Sequence, residues 1–81
     1  MRKNALIPLE LVNPGDWADV EEVTGEPGWV GRLAELGVRS GSRVLIVRAG
    51  SPCLLQVGGS RLSLRRDLGT QILVRPMATP D

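Results

Sequence analysis

The stretch "GRLAELGVRSGSRVLIV", residues 31–47, changes its hydrophobic period partway along. Val30, Leu33 and Ala34 recur at i, i+3 and i+4, the spacing of one helix face, whereas Val44 to Val47 reads as a strand. Gly37 and Gly41 stand at the switch. Gly37 sits just past the helix end, where the chain turns left-handed and glycine alone avoids a Cβ penalty. Val38 then folds back onto the apolar helix face, "RSGS" at 39–42 makes a second turn, and Val44 and Ile46 begin a strand facing inward. The unit is a capped helix, a turn and a core strand, with the helix expected over about residues 29–36.

Working outward, "NPGD" at 13–16 is an Asn-Pro-Gly turn, and Leu9, Leu11 and Val12 before it can close one end of a core. "WADVEEV" at 17–23 alternates, with Ala18 and Val20 on one face and Asp19 and Glu21 on the other. Val23 falls one residue out of phase, which predicts a bulge or the strand's end. "TGEPG" at 24–28 reads as a loop. Downstream, "AGSP" at 49–52 breaks the chain before "CLLQV", which points Cys53, Leu55 and Val57 inward. "GGS" at 58–60 is a hairpin turn, "RLSLR" points Leu62 and Leu64 inward, and "QILVR" does the same for Ile72 and Val74. "RDLGT" at 66–70 can form one helical turn. Five short strands with glycine-rich turns and one short helix predict a mainly β fold, a small antiparallel barrel of SH3-like type.

Composition narrows the function classes. The chain has 81 residues, enough for one core, and its 42% hydrophobic and 23% charged content is that of a folded domain. Ten basic and nine acidic residues leave a net charge of +1, so no global field draws it to nucleic acid or an anionic membrane. The longest fully apolar run, "VLIV", is far too short to insert in a bilayer. With a single cysteine no internal disulfide forms; a reducing, cytoplasmic setting is the expectation. Histidine is absent, which removes the commonest metal ligand and general base together. Glu21 and Glu22 are adjacent and point to opposite strand faces, so no carboxylate pair is formed, and no enzyme, cofactor or metal site is expected.

The order of "LELVNPGD", "GRLAELGVRSGSRVLIVR", "SP", "LLQVGGSRLSLRRD" and "ILV" resembles the ferrous iron transport protein A family over roughly residues 9–75. Its most specific parts are "RLAELGVRSGSRV" and "GGSRLSLRRD". The chain departs from the family pattern at Leu68 and Gly69, where glutamate and alanine are usual, and at Leu54, where a charge is frequent. The resemblance implies an SH3-like barrel of the bacterial cytoplasm that assists a membrane ferrous iron transporter carrying a GTPase domain. Residues 1–8 are then an N-terminal arm, 9–75 the barrel and 76–81 a flexible tail. The same fold resembles the C-terminal domain of metal-dependent repressors, and small barrels of this shape also bind nucleic acid.

Strict alternation sends Leu45, Val47, Leu54 and Leu73 to the outer face, where with Arg32 and Arg65 they form the candidate partner surface. Each such aliphatic side chain is worth about 1.5–3 kcal/mol when buried, so the set suffices for a modest-affinity partner or a homo-oligomer. The competing expectation is that the arm or the helix covers these residues. Arginines at 32, 39, 43, 48, 61, 65 and 66 form a basic cluster, but without Phe or Tyr the stacking platform of single-strand binders is missing, which disfavours nucleic acid. Trp29 is read as a core residue covering the loop, against the alternative of an exposed anchor. Cys53 is read as a buried small apolar residue.

Overall fold

The computed structural model describes residues 5–50, 52–65 and 70–77, with the backbone alone at Thr70. Six strands and one helix follow in the order β1 (Ile7–Pro8), a 3₁₀ turn (Leu9–Leu11), β2 (Trp17–Gly25), α1 (Pro27–Glu35), β3 (Arg43–Arg48), β4 (Cys53–Val57), β5 (Ser60–Leu64) and β6 (Thr70–Pro76). All pairings are antiparallel, and the strands lie in the order β1-β6-β2-β3-β4-β5. The sheet stays open, with β1 and β5 as its edges, and retains the barrel-like SH3 arrangement in which one face encloses a single core.

Alternation predicts that core well. Val44 lies between Ala18 and Val57, Ile46 opposite Leu55, and Val74 between Val20 and Ile7. Ala18, Val20, Val44, Ile46, Cys53, Leu55, Ile72 and Val74 are all buried. Between Val20 and Glu22 the register slips and Glu21 becomes the extra residue, so Val23 pairs with Ile72 and packs against the core despite its phase. A second bulge, between Ile46 and Arg48, makes Val47 the extra residue on β3.

The helix starts two residues earlier than its apolar spacing predicts. Pro27 occupies the first turn, where its missing N–H costs nothing, and the Glu26 carboxylate accepts from the Trp29 N–H at 3.1 Å. Its far end is a Schellman cap: Gly37, at φ +101°, donates to the Ala34 carbonyl at 3.1 Å, and Val38 donates to Leu33 at 2.8 Å. Leu33 and Val38, both buried, are the apolar contact that accompanies this cap. Ser42 then locks the next turn by accepting from the Arg39 N–H at 3.1 Å and donating to the Gly37 carbonyl at 2.6 Å.

Some expectations need correction. Leu11 does not close the core: it is 63% exposed on the 3₁₀ turn, while Leu9 and Val12 are buried. Trp29 is 38% exposed, because α1 turns Leu33 to the sheet and leaves Trp29 on its flank. Ile7 and Pro8 form the edge strand β1 and pair with β6. The strand β6 runs to Pro76, and the Met77 N–H donates to the Trp17 carbonyl at 3.1 Å. The helical turn expected at 66–70 falls outside the described residues except for Thr70, which opens β6 instead.

Candidate functional site

The outer face of the sheet is built from rows of cross-strand neighbours. One row runs Trp17, Leu45, Gln56, Arg61 across β2, β3, β4 and β5. The adjoining row sets Leu54 between Arg48 and Ser63. Leu45, Val47 and Leu54 are each half-buried, and Trp17, opposite Leu45, is 42% exposed. Together they form one apolar patch.

Leu73 does not join that patch. On the other side of Trp17, Asp19 lies between Arg43 and Arg75, and the Arg43 Nε donates to Asp19 Oδ1 at 3.0 Å. The Arg75 guanidinium in turn donates to Glu21 Oε2 at 2.6 Å. This ion-paired row separates Leu73, which sits between Glu22 and Pro8, from the other three leucine and valine positions. Strand alternation assigns a face; only the strand order says which residues on it are neighbours. Ile7 and Pro8 of the arm extend the sheet beside Leu73 as a strand.

Arg32 is exposed on α1, apart from the sheet's outer face, where it lines a shallow open depression of 220 Å³ with Glu26, Gly28 and Trp29. Arg65 is exposed just past the end of β5. Trp17 joins the patch beyond the residues that alternation of the aliphatics selects: with Ala18 and Val20 inside, Trp17 points outward, opposite Leu45 of β3.

The chemical inventory is sparse. No polar side chain among the described residues is buried. Among the same residues no group of three or more Cys, Asp or Glu side chains could hold a metal ion. Cys53 is buried on β4, and burial first, then the nearby negative charge of Glu10, raises its thiol pKa above the ordinary value of 9.0. A thiol held neutral in this way is a packing group and a poor nucleophile. No helix among the described residues is long and apolar enough to cross a membrane. The arrangement offers surface for binding.

Known proteins agree with this architecture. A crystal structure of an iron uptake regulatory protein (FeoA) superposes with a TM-score of 0.80 at 24% identity, covering 90% of this chain and 100% of that one. The FeoA protein from Chlorobium tepidum, solved by NMR in solution, superposes with a TM-score of 0.81 at 29% identity, covering 93% of this chain and 74% of that one. No curated protein matches the sequence. Residues 7–76, from the first residue of β1 to the last of β6, match the FeoA domain, and the chain therefore belongs to the FeoA domain family.

Proposed function

We propose that this chain is a non-catalytic accessory domain of ferrous iron transport, acting in the cytoplasm by docking on a membrane ferrous iron transporter that carries a GTPase domain. The FeoA match over residues 7–76 carries the assignment to iron transport. The docking surface is the outer patch of Leu45, Val47 and Leu54, extended by Trp17, with Arg65 at its margin. Leu73, beyond the ion-paired row on β6, and Arg32, on α1, are secondary contacts set apart from the patch. A tryptophan beside clustered aliphatics is the usual centre of an interface, because it contributes large apolar area with few rotatable bonds.

The test is calorimetric titration of the detergent-solubilised transporter with the wild-type chain and with Leu45→Asp/Leu54→Asp. Each leucine contributes about 1.5–3 kcal/mol on burial, so affinity should fall at least about tenfold. Trp17→Ala, at an exposed position, gives the same direction without a charge in the sheet. Unchanged affinity for both variants, with native circular dichroism, refutes this surface.

A further inference from the structure

The two edges of the sheet differ. At one, β1 is two residues long and ends in Pro8, which has no N–H to donate. Short strands and prolines are the usual protection of an edge. At the other, β5 runs five residues, pairs with β4 in unbroken register, and has neither proline nor bulge. Among the described residues no strand lies on its far side. Such an edge presents a row of unpaired backbone donors and acceptors.

The side chains of β5 specify what fits there. Leu62 and Leu64 face inward, half-buried at the rim of the core, so alternate residues of an added strand would extend that apolar floor. Ser60, Arg61 and Ser63 are exposed, and the short serines leave room for a neighbour. Arg61 makes no ion pair among the described residues and stands where a carboxylate directly across would form a favourable cross-strand pair. A second copy is a poor occupant. Antiparallel pairing of β5 with itself brings two Arg61 side chains onto one ribbon, and like charges across a pair are destabilising.

We propose that the edge of β5 opposite β4 is a strand-addition site for an extended segment of a partner protein in which acidic and aliphatic residues alternate. The aliphatic residues pack beside Leu62 and Leu64, and an acidic one lies across from Arg61. Backbone hydrogen bonds supply the affinity and the alternate side chains supply the selectivity. This site goes beyond docking through the outer patch, uses different residues, and does not depend on the partner being a transporter.

The experiment titrates the nitrogen-15-labelled full chain with a capped eight-residue peptide alternating glutamate and valine, and with its lysine-valine counterpart. Expected are amide shifts concentrated at residues 60–64, slowed hydrogen exchange at alternate β5 amides, and about tenfold weaker binding of the lysine peptide. Arg61→Glu should invert that preference, while Leu45→Asp should leave it intact, which separates this site from the outer patch. The proposal is overturned if no binding occurs at millimolar peptide, if both peptides bind equally, or if the shifts centre on Trp17 and Leu45. It is also overturned if β5 becomes protected with rising protein concentration and no peptide, since the occupant is then a second copy.

Discussion

Replacing three glycines by alanine separates two physical effects that meet at the helix-to-strand junction. Gly31, in the middle of α1, has ordinary helical φ and nothing within 4 Å of an added Cβ. Gly41 has φ +97° and the same open space. Gly37 has φ +101°, and an added Cβ would approach Val57 Cγ1 at 2.9 Å. Gly31→Ala should stabilise by about 0.5–1 kcal/mol, because alanine loses less backbone entropy in a helix. Gly41→Ala should cost about 1–2 kcal/mol from left-handed backbone strain alone. Gly37→Ala carries the same strain plus overpacking against β4, for a total of about 2–4 kcal/mol.

A domain of this length has a total stability of about 4–12 kcal/mol, so the Gly37 variant loses a large part of it. Its melting temperature should fall by roughly 10–25 °C. Urea unfolding followed by tryptophan fluorescence and circular dichroism measures all three. The decisive comparison is Gly37 against Gly41. Equal losses would refute the steric contribution of Val57, and a loss below about 0.5 kcal/mol at both would refute the strain argument. Val57→Ala in the Gly37→Ala background should recover part of the loss, since it removes the contacting Cγ1, and the pair should be non-additive.

Two more outcomes follow from single groups. Ser42→Ala removes one hydroxyl that bonds both Arg39 N–H and the Gly37 carbonyl, so it should cost about 1–2 kcal/mol in urea unfolding, with Ser42→Thr recovering part. Cys53 should react with iodoacetamide at pH 8 far more slowly in the folded chain than in urea; native labelling as fast as a free thiol would contradict its burial. Because its folded pKa is raised, the thiol's contribution to stability is fully present below the unfolded value near 9.0 and is lost as pH rises above it, where only the unfolded chain ionises. A Cys53→Ala variant should lack that alkaline component of the pH–stability profile.

Local rules made the strands, the Gly37 cap and most of the core legible. Alternation is a property of the chain alone, so Ala18, Val44, Ile46, Leu55 and Val74 could be assigned to the inside before any partner strand was known. The phase break at Val23 likewise announced the bulge. The misreadings arose where a residue has two local meanings. "EPG" reads as a loop until Pro27 is recognised as a first-turn residue, and Leu11 looks like core until the 3₁₀ turn rotates it outward. The outer patch is legible in the sequence as a face and not as a neighbourhood, because alternation groups Leu73 with residues that lie beyond the Asp19 row and does not say what Trp17 stands opposite.

Amino-acid order by itself determined the periodicities, the glycine that ends the helix and the small inward-facing aliphatics, because each depends on interactions between residues a few positions apart. Tertiary structure alone decided the rest. Pairing β6 between β1 and β2, and β3 beside β2, sets Trp17 against Leu45, interposes Arg43–Asp19 and Arg75–Glu21 before Leu73, and leaves β5 paired on one side alone, with β4, among the described residues. The physical reason is that strand order is chosen by how the whole chain can bury its apolar faces at once. That global condition has no counterpart in any short window of sequence.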